Sequence, residues 1–176
     1  NLKGAHVVID GMLKGSNGET DTFAEFSRKG KKKSSKDLSL IYAYDPLTQE
    51  PIAVKPYPGN MVDMTGMNDF INECGIKSGI IVADKGFYNP NSIAGIKKNR
   101  NLSYIVPLKQ NSKKISDNEM NKDLSSLLEE NKDENVFYKK KKTADDCFLY
   151  AFRNPKDAYN QETGYLVRNR KKDTYD

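Results

Sequence analysis

The sequence predicts an α/β protein built on one mixed β-sheet, followed by a smaller α+β segment. Short runs rich in β-branched residues first follow one another as a meander and then alternate with helical patterns, up to about residue 107. Beyond about residue 110 the chain becomes more polar and the alternation stops. The 176 residues therefore suit a layered domain at residues 1–110 and a partial lobe at residues 111–176.

Five strands are predicted in the first segment. The second and third are separated by turn residues 45–48, which favours an antiparallel hairpin. The fourth is a continuous apolar run, which is typical of a buried parallel strand. In chain order the predicted strands are Ala5–Asp10, Leu38–Tyr44, Pro51–Tyr57, Ser78–Asp84 and Ser103–Pro107.

Two helices are predicted between these strands. One begins at Asp63 and ends before Gly75, and the other begins at Asn89-Pro90-Asn91. Crossovers between parallel strands are right-handed. Together with the hairpin, they predict the strand order 3-2-1-4-5, with the second strand antiparallel to its neighbours.

The second segment predicts different elements. A polar helix is expected at Ile115–Glu130, with Leu124, Leu127 and Leu128 on one face. A hairpin is expected from Val136–Lys142 and Cys147–Arg153, and a further strand at Tyr165–Arg168.

Composition limits the kinds of ligand and metal site that the chain can form. A net charge of +5 permits binding to a polyanion but does not establish it. The chain has one histidine, and Cys74 and Cys147 match no metal-ligand spacing, so any metal would need oxygen ligands.

No apolar run approaches the roughly 18–20 residues of a membrane helix. The opening residues lead directly into a predicted strand without a signal-peptide pattern, and we expect a cytoplasmic protein.

Two aspartates stand out by their position. Asp10 and Asp84 each close a run of buried-type residues, and a glycine follows each within two positions. If their strands are neighbours, the carboxylates converge and attract a divalent cation such as Mg²⁺. The alternative, which the pattern leaves open, is that each aspartate starts a turn or caps the next helix.

Four elements of the first segment resemble the catalytic core of insertion-sequence transposases of the DDE class. Within that class the chain is similar to the group with an insertion between the fifth strand and the last catalytic helix. The resemblance covers about residues 5–110. The elements are V-V-I-D-G (Val7–Gly11), K-D-L-S-L-I-Y-A-Y-D (Lys36–Asp45), P-G-N-M-V-D (Pro58–Asp63) and I-V-A-D-K-G-F-Y-N (Ile81–Asn89).

This resemblance implies a ribonuclease H-like fold and makes Asp10 and Asp84 the first two catalytic, metal-binding carboxylates. The third member in such proteins is a glutamate in a spaced Tyr, Arg, Glu, Lys signature. Tyr165–Arg168 has the opening Tyr-x-x-Arg, but Lys171 stands three residues beyond Arg168. The third carboxylate is therefore unknown, and we expect a truncated chain that is inactive alone. Glu129 and Glu130 are the first candidates should the third carboxylate lie within these residues.

The resemblance further implies cutting and joining of DNA at transposon ends and target sites, with two Mg²⁺ or Mn²⁺ ions. It also implies a homodimer when the full-length protein is bound to DNA, in the nucleoid of a prokaryotic cytoplasm. Two alternatives stay open. One is a structure-directed nuclease of the same fold, such as a ribonuclease H or junction resolvase, and the other is a non-catalytic DNA-binding remnant.

Lysines supply the expected DNA contacts. The loop Lys29–Lys36 holds five lysines, among them Lys31, Lys32, Lys33 and Lys36. Such a run is commonly a solvated loop, but its position after the first catalytic strand suits contact with the DNA backbone. Lys85, directly after Asp84, is a further expected backbone contact.

Overall fold

The structure is a computed structural model that describes residues 6–16, 22, 24–26, 36–61, 63–122, 124, 126–128 and 135–172. The chain divides into two compact units, Asn1–Lys109 and Gln110–Asp176. Among the described residues, no helix combines the length and apolar character that crossing a membrane requires.

The first unit is built on a mixed sheet. Strand β1 (His6–Gly15) pairs antiparallel with β3 (Lys36–Tyr44) on one side and parallel with β5 (Gly79–Ala83) on the other. β5 also pairs in parallel with β6 (Leu102–Ile105). The far edge of β3 is shared by β4 (Pro51–Pro58) and the short β2 (Glu25–Phe26), both antiparallel to it.

Two helices lie against one face of this sheet. Helix α1 (Asp63–Glu73) ends before Gly75, whose φ of +67° lies in the left-handed region that glycine adopts without strain. Helix α2 (Pro90–Lys97) has Asn89 as its N-cap, and the Asn89 side chain accepts a hydrogen bond from the Asn91 N–H. Both helices begin close to where the sequence predicts them, and α1 also ends where predicted.

Alternate strand residues form the core. Successive side chains of a strand point to opposite faces, so every second strand residue faces the helices. These strand residues and the apolar residues of the helices form one buried cluster. From the strands this cluster takes Val7, Ile9, Ile41, Ala43, Ile81 and Ala83, and from the helices it takes Met67, Phe70, Ile71 and Ile96.

The other face of the sheet is more open. It carries Asp10 and Tyr42, and its apolar residues Met12, Val54 and Ile105 are exposed. The sheet therefore has one face packed against helices and one that is partly exposed, and Asp10 lies on the second face.

Strand β1 corrects the sequence analysis, which ends the first strand at Asp10. The strand continues to Gly15, because Gly11–Gly15 pair with Asp37–Ile41 of β3. The parallel pairing with β5 does end near the expected point, at the pair Ile9 and Ala83. The short strand β2 was not predicted, because its two exposed residues carry no alternation to detect.

The second unit contains a three-stranded antiparallel sheet of β7 (Ser126–Leu127), β8 (Phe137–Lys142) and β9 (Phe148–Arg153). The predicted hairpin is β8 and β9. The unit also holds the short helix α3 (Lys113–Asp117) and the long helix α4 (Pro155–Lys172).

Two predictions for this unit are wrong. Of the helix expected at Ile115–Glu130, the described residues form helix only within α3, because Glu119 adopts φ +53° and Ser126–Leu127 pair with β8 instead. The strand expected at Tyr165–Arg168 lies inside α4. That helix starts favourably, since Pro155 occupies its first position and the Asn154 side chain accepts from the Lys156 N–H.

Gly59 provides a test of the packing at the sheet edge. A Cβ atom at this position would lie 1.9 Å from the Asp37 carbonyl oxygen and 2.8 Å from that of Glu25. These are backbone atoms of two strands and cannot move aside cheaply. We expect Gly59→Ala to lower the free energy of unfolding by about 1–3 kcal/mol, as overpacking does, measured by urea denaturation.

The matched control is Gly164→Ala. Gly164 lies within α4, and an added Cβ there meets nothing within 4 Å. Because alanine favours a helix interior over glycine by up to about 1 kcal/mol, this variant should be neutral or more stable. Equal effects of the two substitutions would contradict the close approach at Gly59.

Candidate active site

The register of β1 and β5 brings Asp10 and Asp84 to neighbouring positions. Ile9 and Ala83 are partners in the parallel ladder, and each aspartate follows one of them directly. Neighbouring strands lie about 4.7–4.9 Å apart. The backbones of the two aspartates are therefore adjacent across the strand pair.

Both carboxylates project from the same face of the sheet. Ile9 and Ala83 are buried, whereas Asp10 and Asp84 are exposed, as the alternation of a strand requires. The alternation extends through Asp84 because its backbone is still extended, with φ −67° and ψ 160°. Two exposed carboxylates thus follow the paired ends of two neighbouring strands.

Asp10 is held by two hydrogen bonds. The Gly11 N–H donates to Oδ1 over 2.7 Å, and the Tyr42 hydroxyl donates to Oδ2 over 2.9 Å. Tyr42 is the partner of Asp10 in the antiparallel ladder and stacks on Tyr44, with ring centroids 6.3 Å apart. A carboxylate oxygen has room for a second partner, so both oxygens of Asp10 remain able to bind a cation.

Tyr42 is a site residue that the sequence analysis missed. The hydrogen bond to Asp10, then partial burial and the negative charge of Asp10, raise the pKa of the Tyr42 hydroxyl above its usual value. The hydroxyl therefore stays protonated and remains a donor at neutral pH. Its role depends on the register between β1 and β3, and the only sequence signal was its place on the strand next to Asp10.

Asp84 is placed by the short 3₁₀ helix Lys85–Phe87. The Phe87 N–H donates to the Asp84 carbonyl over 3.0 Å, and the Phe87 side chain is buried in the core cluster. This anchor directs the chain away from β5 while Asp84 and Lys85 stay exposed. The Asp84 side chain makes no capping hydrogen bond, so helix capping does not explain this aspartate.

The donor set suits a divalent cation only in part. Asp10 and Asp84 offer oxygen ligands, which Mg²⁺ and Mn²⁺ prefer. Within the part of the chain that the structure describes, no group of three histidine, cysteine or acidic side chains could hold a metal. Glu129 and Glu130, the candidates for a third carboxylate, lie outside the described residues.

The structure describes two of the five lysines expected to contact DNA, Lys85 and Lys36. Lys85 is exposed and directly follows Asp84. Lys36 begins β3, six residues before Tyr42, and therefore lies about 20 Å along the strand from Asp10 at about 3.4 Å per residue. Lys31, Lys32 and Lys33 lie outside the described residues.

Removal of the Tyr42 hydroxyl tests its bond to Asp10. We expect Tyr42→Phe to lower the free energy of unfolding by about 0.5–1 kcal/mol, because it deletes one partly exposed hydrogen bond. Tyr44→Phe is the control, since Tyr44 stacks on the same ring but is not the donor to Asp10. Urea denaturation at pH 7 measures both.

The same bond predicts a pH dependence. The pKa of Tyr42 is raised in the folded protein, so its contribution is fully present below the usual tyrosine value of 10.0 and is lost as pH rises through the folded value. The stability difference between wild type and Tyr42→Phe should therefore stay constant from pH 7 to pH 10 and shrink above pH 10. A difference that already shrinks between pH 7 and pH 9 would contradict this assignment.

Comparison with known proteins identifies the family. The family model described as "Transposase DDE domain" matches residues 3–171. Comparison with curated proteins gave no match. Two solved structures are similar at low identity, a piggyBac transposase synaptic complex with hairpin DNA and a Mos1 transposase paired-end complex with the left transposon end.

The structural similarity is partial. The piggyBac chain is 16% identical with a TM-score of 0.47, and the match covers 85% of this chain and 33% of that one. The Mos1 chain is 9% identical with a TM-score of 0.39, and the match covers 68% of this chain and 47% of that one. The chain thus spans a third to a half of those proteins. Because the family model matches nearly the whole sequence, the chain belongs to the transposase DDE domain family.

Proposed function

We propose that this chain is part of a transposase that cuts and joins DNA phosphodiesters at transposon ends by two-metal-ion catalysis. One observation carries the proposal. Asp10 and Asp84 follow directly on two paired residues of adjacent parallel strands and share the exposed face of the sheet. Membership of the transposase DDE domain family supports the same reaction class.

The fold we propose is ribonuclease H-like, with the predicted strands in the order 3-2-1-4-5. The pairings of β4 with β3, β3 with β1, β1 with β5 and β5 with β6 support this order. We further propose that residues 111–176 are part of a lobe inserted into that fold. The separate compactness of residues 110–176 is consistent with this proposal.

In this mechanism Asp10 and Asp84 would hold the divalent cations. A bound pair of such cations would supply activation of the attacking water or 3′-hydroxyl and stabilisation of the leaving oxygen of an in-line displacement. Tyr42 fixes the orientation of the Asp10 carboxylate by donating to Oδ2, and the Gly11 N–H does the same at Oδ1. Lys85, exposed beside Asp84, attracts the phosphate backbone to the site.

The partner of this site is DNA, and the active assembly is a homodimer of the complete transposase. The net charge of +5 supports attraction to a polyanion. A third carboxylate completes the site in this proposal. Two aspartates alone supply few anchors for two ions about 4 Å apart, so we propose that the chain is inactive by itself.

One observation favours a second candidate, a non-catalytic DNA-binding remnant. Among the described residues, no group of three potential metal ligands occurs. A remnant would keep the basic charge of the chain but would bind no catalytic metal. The two candidates differ in metal binding and in DNA cleavage, which can be measured separately.

Metal binding is the first test. We expect the chain to bind Mn²⁺ weakly, and we expect Asp10→Asn or Asp84→Asn to reduce the affinity by about tenfold or more, because a site with few protein ligands depends on each one. Electron paramagnetic resonance of free Mn²⁺ measures this. Asp157→Asn, an exposed position on α4, is the matched control and should change nothing.

Cleavage of supercoiled plasmid is the second test. We expect no measurable nicking by the 176-residue chain. The complete transposase should nick with Mg²⁺ or Mn²⁺, and either aspartate substitution should lower that rate by about 10³-fold, since each metal contributes several kcal/mol.

Two outcomes of this assay would change the proposal. Nicking by the chain itself, abolished by Asp10→Asn, would mean that a third carboxylate lies within these residues, with Glu129 and Glu130 tested first. An inert complete protein that also binds no Mn²⁺ would favour the non-catalytic remnant.

A further inference from the structure

The β8–β9 hairpin of the second unit has two chemically different faces. The pairs Tyr138 with Phe152, Lys140 with Tyr150, and Lys142 with Phe148 lie directly across the antiparallel ladder. Because paired residues point to the same side and alternate residues share a face, these six side chains form one surface. We call it the aromatic–lysine face.

On the opposite face of the hairpin, two lysines bind backbone carbonyls of residues 118–122. The Lys139 ammonium donates to the carbonyls of Glu119 (2.9 Å) and Lys122 (3.0 Å). The Lys141 ammonium donates to the Asn118 carbonyl over 3.3 Å. The run of four lysines is therefore divided, with two lysines bound to the backbone of residues 118–122 and two on the aromatic–lysine face.

The aromatic rings of this face are exposed and aligned. Phe148, Tyr150 and Phe152 are 52%, 52% and 61% exposed. The rings of Tyr150 and Phe152 are parallel to within 5° with centroids 6.3 Å apart, and Tyr138 stacks next to Phe152 at 6.5 Å. A solvent-facing sheet surface is normally polar, and a contiguous exposed apolar row marks a binding surface.

The lysines sit among these rings. The Lys140 ammonium lies 4.5 Å from the Phe148 ring centroid and 5.4 Å from that of Tyr150, and the Lys142 ammonium lies 6.0 Å from that of Phe148. Lys142 also pairs with Asp146 over 2.6 Å. Both lysine side chains are exposed, so their ammonium groups can turn from the rings to a ligand with little loss of packing.

The combination of flat rings and ammonium groups defines the chemistry of the occupant. A ligand must offer planar surfaces that stack and negative charges at regular spacing, which an unpaired nucleic acid strand does. Duplex DNA offers the charges but keeps its bases stacked inside the helix. An apolar protein surface would cover the rings but offer no negative charge to Lys140.

We propose that the aromatic–lysine face binds unpaired DNA, with bases stacked on Tyr150 and Phe152 and phosphates contacted by Lys140 and Lys142. The choice of DNA as the nucleic acid rests on the proposed function. The stacking itself rests on the geometry of the hairpin and requires neither a metal ion nor cleavage.

The test compares strands that differ only in their bases. The whole 176-residue chain is titrated into a fluorescent oligothymidine, an abasic strand of equal length and a duplex, all in EDTA, with anisotropy as the readout. We expect oligothymidine to bind at least about tenfold more tightly than the abasic strand, because stacking contributes about 1–3 kcal/mol per base. We also expect it to bind more tightly than the duplex.

Variants then assign the preference to this face. The double substitution Tyr150→Leu with Phe152→Leu should lower oligothymidine affinity to the abasic level, whereas Tyr150→Phe should keep it because the ring remains. Tyr159→Leu is the matched control, since Tyr159 is an exposed aromatic on α4. Lys140→Gln should reduce the slope of log affinity against log salt by about 0.7, the value for one phosphate contact on a single strand.

Several outcomes would overturn the proposal. They are equal affinity for the base-bearing and abasic strands, stronger binding of the duplex, or full affinity in the double leucine variant. The first comparison uses the unaltered chain, so it holds even if a variant fails to fold. The two proposals can also fail separately. If the complete protein does not nick DNA but Asp10→Asn still prefers the base-bearing strand, the proposed function is rejected and the binding of unpaired DNA by the aromatic–lysine face is retained.

Discussion

The parallel pairing of β1 with β5 is the interaction on which the rest of the first unit depends. It joins the antiparallel part of the sheet to the parallel part, and it ends at Ile9 and Ala83, directly before the two aspartates. Those two residues are buried against the helices, so the next residue on each strand must face away from them. The packing of the core and the position of the carboxylates therefore share one cause.

The cost of this arrangement is repulsion between like charges. Two carboxylates on neighbouring strands destabilise each other unless a cation or a proton intervenes. Donors to Asp10 from Tyr42 and Gly11 spread part of its charge, and both aspartates remain in contact with water. Exposure keeps any repulsion between them small, since two unit charges 4 Å apart in water interact by only about 1 kcal/mol.

Much of the fold could be predicted because its local signals agree with its packing. The apolar run of β5, the Asp45–Thr48 turn of the hairpin and the Asn89-Pro90 start of α2 each specify one structure. The errors occur where local pattern and tertiary pairing differ. The leucines near Leu127 suggest a helix, but the backbone there pairs with β8, and Tyr165 lies on a helix whose start is ten residues earlier. Asp10 and Asp84 could be singled out as candidate site residues from their positions at the ends of strands, and the family resemblance implied their role. Tyr42 could not, because only the register between β1 and β3 brings its hydroxyl to Asp10.

The alternation that exposes Asp10 also guards against misfolding. A slip of β1 by one residue would turn its whole side-chain pattern over, moving Asp10 into the space now filled by Ile9. That space is lined by Ile81 and the helices, where an unpaired carboxylate would lose its hydration at a cost of several kcal/mol. A sheet assembled in the wrong register would therefore be unstable. Asp10, the proposed metal ligand, therefore also disfavours the shifted register while the sheet forms.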